Sequence, residues 1–587
     1  MLVPAHLNSD FYKQAHFAQY SPHTEVVYST WTPRKSRMDG VNKVVFFGLQ
    51  YFIKDYLIDS FNQTFFNRPK DEVITEFRTF MENANCPVDT KHWEALHDLG
   101  YLPLKILALP EGTLTPIRVP MFTIENTKPE FYWLTNFIET ILSTEIWKPM
   151  TSATIALQYR KILEKWSEKT CDDNSWIDFA GHDFSYRGMV GTNGGSSSGA
   201  GHLLCFKGTD TIPAILWLEQ YYNAKNINGS VGCSIPATEH SVAETNIIEI
   251  QDMIEDKSEH SELTQFMSGL HWGDIVEWDS RKLAEAVYLN RLLNVYPKGF
   301  FSYVADTYNL WEVCSSILPV LKDKIMSRDG RVVIRPDSGD PVDILCGLNT
   351  NARFNALKDV LEEKSSSIDD WIEQCLTPEA VNIANKYKYW FNSNYKEQQN
   401  KGVIELLWET FGGTINSKGY KVLDSHIGCI YGDAITLERA EQICKRLESK
   451  GFASSNVVLG IGSYTYNMNT RDTFGFALKT TYGVVNGKEL LLYKDPITDD
   501  GTKKSQKGMV AVIDKSKMGN TYLNKQMFGE LGIEYIDELN RATKEGYKDI
   551  DMLQPVFKDG ELLVDWTLDE IRQRVKEQSK EKEVQCV

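Results

Sequence analysis

Five times between residues 203 and 463 a short β-rich run breaks off into a polar or glycine-rich turn, and this pattern constrains the fold most tightly. The runs are 203–206 before Lys207-Gly208-Thr209-Asp210, 300–304 before Ala305-Asp306-Thr307, and 331–334 before Arg335-Pro336-Asp337-Ser338-Gly339-Asp340. Two more follow: 427–430 before Tyr431-Gly432-Asp433, and 456–459 before Gly460-Ile461-Gly462-Ser463. Helical patterns come after several of them, as in 437–450. Repeated strand–loop–helix units predict an α/β chain with a parallel sheet, and they suit closure into an α/β barrel. In such barrels chemistry collects on loops at the carboxyl ends of strands. Each of the five turns stands in that kind of position.

Outside these units, apolar residues recur at three and four over 130–144, predicting a buried helix. Residues 154–168 and 214–225 predict two more. The run 188–201, GMVGTNGGSSSGAG, reads as a flexible linker or substrate loop. Residues 247–281 and 350–418 look like insertions between motifs, read as surface elaboration or subunit contact. The charge run 572–587 reads as a solvated helix that frays.

Charge excludes one function class. With 63 Lys+Arg against 80 Asp+Glu the formal net charge is −17, opposite to the basic stripe of a nucleic-acid binder. A local basic pocket for an anionic substrate is still compatible with it. No apolar run reaches the length that spans a bilayer, and the N-terminus has no signal-peptide pattern, so a cytoplasmic location with no membrane partner is expected. The ten cysteines are scattered without a CxxC pair, which signals neither a zinc site nor a disulfide framework.

Several turns carry residues suited to phosphate chemistry. Arg335 and Asp337 stand two apart, so both face one side of an extended chain. An arginine binds phosphate bidentately, and an aspartate holds Mg²⁺ beside substrate phosphates. An Arg–Asp pair that merely caps the next helix would explain one such motif. It explains less well the repeat of a strand-end acid at Asp306 and at Gly432-Asp433. Gly462 and Ser463 end a strand in a loop whose backbone N–H groups can approach a phosphate; an ordinary tight turn is the plain alternative. Arg471 and Lys479 lie in a basic stretch that continues through Lys494, Lys503, Lys504 and Lys507. His240 closes the string Ser-Ile-Pro-Ala-Thr-Glu-His and suits acid–base work or phosphoryl transfer, against the alternative of a satisfied core histidine.

Together the strings DFYKQAHFAQY, FFGLQYFI, ENTKPEFYWLTNFIETIL, HDFSYRG, FKGTDT, SIPATEHS, IRPDSGDP, NSKGYKVL, NTRD and YKDP resemble the nicotinamide phosphoribosyltransferase family, in the family's order. The resemblance implies transfer of a 5-phosphoribosyl group from phosphoribosyl diphosphate to nicotinamide, giving nicotinamide mononucleotide and diphosphate. It implies an irregular α/β barrel over 151–469 and a largely antiparallel sheet domain built from both chain ends, 1–150 and 470–587. It further implies a homodimer with shared active sites. By motif position, Phe184 and the partner's Tyr12 would sandwich the nicotinamide ring, Asp210 would accept from its carboxamide, and Ser302 would lie nearby. Arg187 and Arg335 would flank base and sugar phosphate. Asp306 and Asp337 would act through Mg²⁺ and its waters, and Gly432 and Asp433 would hold the ribose hydroxyls. Gly462 and Ser463 would bind the 5-phosphate, while Arg34, Arg471 and Lys479 would arrive from the second copy to bind diphosphate. His240 matches the histidine that ATP phosphorylates, implying stimulation by ATP. Two departures bear on phosphate affinity: the loop GIGSYT carries fewer glycines than the family's, and Ala477 stands where a hydroxyl is usual. The competing readings are nicotinate phosphoribosyltransferase, a phosphate-binding barrel of another reaction class, and a non-enzymatic interaction protein.

Overall fold

The computed structural model describes residues 3–86, 88–257, 261–269, 273, 275–348, 393–432, 434–498, 501, 503–515 and 532–580. Two sheets organise it. Six strands form a parallel sheet in the order Gly208–Thr209, Gly181–Asp183, Val457–Ile461, Ile427–Tyr431, Val332–Arg335 and Phe301–Val304. Its two edges both touch residues 233–238: Gly208 bridges Cys233 and Ser302 bridges Ala237, each in the parallel sense. The Ser302 N–H donates to Pro236 (2.8 Å) and the Thr238 N–H to Ser302 (3.0 Å). The second sheet is antiparallel, with seven strands drawn from distant parts of the chain. Its order is Lys488–Leu491, Ala477–Val485, Thr24–Thr32, Phe122–Asn126, Leu104–Ala108, Gln554–Lys558 and Glu561–Leu562. The expected mixture of a parallel and an antiparallel sheet is therefore present.

Each sheet has its own apolar core. The helix Glu139–Thr170 serves both. Its first half gives Ile141, Leu142, Ile146 and Met150 to the antiparallel core, and its second half gives Ala153, Tyr159, Leu163 and Trp166 to the parallel one. It joins the helix expected at 154–168 to the end of the one expected at 130–144. The start of the latter is broken into two short pieces, Pro129–Phe131 and Leu134–Phe137. The third expected helix runs Ile212–Tyr221, with Pro213 in its first turn, where a missing N–H does no harm.

Four readings of the sequence need correction. The Gly/Ser run is not a loop: Gly191–His202 is a helix. It is wedged between the long helix and Ile212–Tyr221. A Cβ on Gly201 would lie 2.7 Å from the Pro149 carbonyl, and one on Gly199 would lie 2.7 Å from the Ala214 Cβ. Glycine costs a helix about 1 kcal/mol relative to alanine, and backbone approach this close admits nothing larger. Residues 203–206 are accordingly the exit of this helix, and the strand is Gly208–Thr209.

The charge run at the C-terminus is helical as expected but not simply solvated within the described residues. Helix Leu568–Ser579 opens on a capping box of Thr567 and Glu570 and buries Leu568, Ile571 and Val575 in the parallel core. Arg572 donates to the carbonyls of Leu203 (Nε, 2.8 Å), Ser230 (Nη1, 2.8 Å) and Val231 (Nη2, 2.6 Å). The segment 247–281 begins inside helix His240–Glu255, where Ile247 and Ile250 are fully buried, so its start is core and not elaboration. Most of the other expected insertion, 350–392, lies outside the described residues. No described helix is long and apolar enough to cross a membrane.

Candidate active site

The strand ends converge as their turns predicted. Gly181–Asp183 lies between Val457–Ile461 and Gly208–Thr209. Its last residue, Asp183, is fully buried. It accepts from the Ser185 N–H (2.9 Å) and from the hydroxyls of Thr211 (2.8 Å) and Thr209 (3.4 Å). One buried carboxylate thus ties the turn that carries Phe184 to the turn that carries Asp210. The Phe184 N–H donates to Ile461 and the Asp210 N–H to Asp183, each at 3.0 Å.

Asp210 is held through one oxygen. His182 Nε2 lies 2.9 Å from Oδ1 and the Ser234 hydroxyl donates to the same Oδ1 at 2.5 Å. Burial alone would raise this carboxyl. The bond and charge of His182, the Ser234 hydroxyl and the Arg335 charge outweigh it and hold the group below the usual carboxylate range. The His182 ring also lies 4.4 Å from the Phe184 ring, tilted by 34°.

These groups face a cavity of about 450 Å³, with Ser302 and Arg335 also in its wall. It reaches Trp176, Phe179 and Phe300 beyond them. The Ser302 hydroxyl is buried and has no hydrogen-bond partner in the structure. Arg335 donates from Nη2 to the Thr238 carbonyl (2.5 Å), while its buried Nε is unpartnered. A buried polar group normally finds a partner, so both atoms mark places where a ligand would complete the wall.

The acids form the adjoining part. Asp306 Oδ2 accepts from the Asp337 N–H (2.9 Å) and the Ser338 hydroxyl (2.6 Å). Its other oxygen, Oδ1, is buried without a hydrogen bond. His240 opens helix His240–Glu255. Its Nε2 lies 3.8 Å from Asp306 Oδ1 and 3.8 Å from Asp337 Oδ2, and its Nδ1 lies 3.1 Å from the Thr307 hydroxyl. Gly432 presses on this group, since a Cβ there would lie 2.3 Å from Asp337 Oδ1. Asp433 lies outside the described residues. Gly462 and Ser463 begin the short helix Ser463–Asn467. Gly188 packs on Ser463 so closely that a Cβ would meet Ser463 Oγ at 2.1 Å, and Arg187 beside it is exposed. Among the described residues no group of three or more His, Cys, Asp and Glu is arranged to hold a metal ion.

The remaining expected residues gather elsewhere. Tyr12 and Arg471 line a separate cavity of about 220 Å³ with Glu139 and Trp147, sharing no lining residue with the first. Lys479 Nζ is 3.2 Å from Glu139 Oε1, and Lys13 Nζ is 2.6 Å from Oε2. Burial pushes the Glu139 carboxyl up, but Lys479 and Lys13 together bring it below the ordinary value. Arg34 Nε donates to the Gly475 carbonyl at 2.9 Å. Ala477 is buried opposite Thr32 in the antiparallel sheet. Sequence reasoning missed His182, Ser234, Thr307 and Glu139 as individual residues. The first two stood inside quoted strings, and the third follows a strand-end acid. Glu139 stood in a quoted string too, but nothing local marks its role, because its lysines come from 126 and 340 positions away.

Comparison with known proteins gives the family. Residues 179–532 match the model of the nicotinate phosphoribosyltransferase family, and residues 5–105 match that of the nicotinamide phosphoribosyltransferase N-terminal domain. A nicotinamide phosphoribosyltransferase of Acinetobacter baylyi is 42% identical over 582 residues, covering 97% of this chain and 96% of the relative. One from Xanthomonas campestris is 30% identical over 572 residues, covering 96% and 97%. The crystal structure of human nicotinic acid phosphoribosyltransferase aligns with a TM-score of 0.50 at 14% identity, over 97% of this chain and 93% of that one. That likeness is one of fold.

Proposed function

The chain belongs to the nicotinate phosphoribosyltransferase family, alongside its nicotinamide phosphoribosyltransferases, and we propose that the 450 Å³ cavity is where it takes up the nicotinamide ring. It is a phosphoribosyltransferase of NAD salvage, joining nicotinamide to phosphoribosyl diphosphate. One observation carries the assignment of the base site. The cavity wall offers an acceptor, the uncommitted Oδ2 of Asp210, and a donor, the unpartnered hydroxyl of Ser302. A carboxamide has the complementary donor and acceptor. A nicotinate carboxylate has only acceptors, and the Asp210 charge repels it. Phe184 supplies one aromatic face for stacking.

The rest of the assignment follows the chain's own groups. Arg187 and Arg335 would flank the base and the sugar phosphate, Gly432 and Asp433 the ribose hydroxyls, and Gly462 and Ser463 the 5-phosphate. Asp306 and Asp337 suit Mg²⁺: the orphaned Oδ1 of Asp306 is the kind of oxygen that binds the ion through its waters. Bound there, Mg²⁺ would neutralise charge on the diphosphate. The side chains orient the two substrates and stabilise the charge that leaves, with no protein nucleophile at the sugar. Thr307 fixes His240 through Nδ1, leaving Nε2 to accept the γ-phosphoryl group of ATP as ADP departs. A homodimer, with the partner supplying Tyr12, Arg34, Arg471 and Lys479, would bring Tyr12 and Arg471 of the smaller cavity to the larger. We read the six-stranded parallel sheet and its bridging segment 233–238 as an irregular barrel, and the antiparallel sheet as the second domain.

The test is one assay. Incubation with phosphoribosyl diphosphate, Mg²⁺ and either base should yield mononucleotide from nicotinamide, faster with ATP. Product from nicotinate alone would reverse the base assignment. Equal mixing of Asp337→Ala and Arg471→Ala chains should restore part of the activity each lacks, and no restoration would reject the shared site.

A further inference from the structure

We propose that His182 and Ser234 are positioning residues that set the choice between amide and acid by fixing the Asp210 carboxylate. The proposal rests on the base-site reading given above. Both residues bond the same oxygen, Oδ1, at 2.9 and 2.5 Å. Two bonds to one oxygen stop the carboxylate from rotating and leave Oδ2 turned to the ligand. They also keep the group ionised, because a donor bonded to a carboxylate favours its charged form.

The two donors come from separate elements. His182 is the middle residue of Gly181–Asp183, paired with Gly208 next to the Asp210 turn. Ser234 belongs to the segment that bridges both edges of the parallel sheet. The arrangement is built rather than incidental. A Cβ on Gly208 would lie 2.9 Å from His182 Nδ1, so a glycine there makes room for the imidazole. The imidazole also meets the Phe184 ring. His182 therefore holds both groups that would define the base site, the stacking ring and the amide acceptor.

Without these donors Asp210 can turn aside or take up a proton. Either change removes the repulsion that excludes a carboxylate and weakens the acceptor that draws the amide. The consequence is a change of preference, and this separates positioning from a general loss of folding. A damaged fold lowers turnover with both bases alike.

The experiment measures kcat and KM for nicotinamide and for nicotinate in wild type, His182→Ala, His182→Gln, Ser234→Ala and Asp210→Ala. A hydrogen bond to a charged group is worth about a factor of ten or more. The ratio of kcat/KM for amide over acid should thus fall roughly tenfold in His182→Ala and in Ser234→Ala. It should fall mainly through KM for nicotinamide. His182→Gln, whose amide nitrogen reaches the place of Nε2, should restore most of the ratio. If His182→Ala does not fold, Ser234→Ala and His182→Gln still carry the test. An unchanged ratio in Ser234→Ala, with Asp210→Ala losing preference, would overturn the positioning proposal while leaving the base site intact. A wild type without preference for the amide, or an unchanged ratio in Asp210→Ala, would overturn the base-site reading itself.

Discussion

Alanine at Gly432 should separate catalysis from stability. The backbone there is not left-handed, so alanine can adopt it. Its Cβ would stand 2.3 Å from Asp337 Oδ1 and 3.1 Å from Cγ, while the nearest atom of Arg335, Cδ, is at an ordinary 3.4 Å. An unstrained carbon–oxygen contact is roughly 3.3 Å, so the Asp337 carboxylate must retreat by about 1 Å. What gives way is the end of a side chain, not backbone. The cost to the fold should be no more than about 1–2 kcal/mol.

The cost to the reaction is larger. That carboxylate lies 3.8 Å from His240 Nε2, and the Asp337 backbone is bonded to Asp306. A misplacement of about 1 Å in such a constellation lowers turnover on the order of a hundredfold. The measurement pairs steady-state mononucleotide formation at saturating nicotinamide with a thermal melt. The expected result is turnover down about a hundredfold with a nearly unchanged melt. Near-normal turnover at an unchanged melting temperature would refute the argument, since it would mean that Asp337 can move 1 Å without consequence. A collapse in melting temperature would refute the other half, the claim that only a side-chain end must yield.

Two further perturbations test the scaffold. Arg572→Met keeps the apolar stem but leaves the carbonyls of Leu203, Ser230 and Val231 without their donor. Denaturant unfolding should show a loss of about 2–4 kcal/mol, at roughly 1 kcal/mol or slightly more per bond, and a loss below about 0.5 kcal/mol would mean that water replaces the guanidinium. Glu285 is buried against the Tyr303 hydroxyl at 2.9 Å, and burial raises its carboxyl from 4.5 to about 7. Between these values the unfolded chain releases a proton that the folded chain keeps, so stability should fall as pH rises from 4.5 through 7. The loss, about 3 kcal/mol at most, should be absent in Glu285→Gln, and parallel pH profiles for the two proteins would reject it.

What the sequence made visible and what it hid have a common physical division. The strand-end residues were legible because each closely follows a short apolar run, so local order alone places Asp306, Asp337 and Gly432 at one end of a parallel sheet. The bonds that fix the acids around the base site were not legible. Asp183 collects donors from residues 185, 209 and 211, and Asp210 collects them from 182 and 234. Nothing in a linear string says which neighbour will turn inward. Glu139, clamped between Lys13 and Lys479, is the extreme case.

The glycine-rich helix shows the same division working against propensity. Seen locally, Gly191–His202 has every mark of a loop, with four glycines at 191, 194, 195 and 199 and a fifth at 201. Summed at about 1 kcal/mol each, they make an isolated helix untenable. The distances reverse the inference. Gly201 meets the Pro149 carbonyl and the Ala153 nitrogen, both backbone atoms of the long helix, at 2.7 and 2.8 Å from its would-be Cβ. Backbone cannot retreat as a side chain can. The missing Cβ atoms are what let this helix lie against its neighbours and against Asp183, whose Oδ2 would be 3.2 Å from a Cβ on Gly199. The same small residues that argue for a loop therefore serve to bring a helix up to the buried carboxylate that organises the base site.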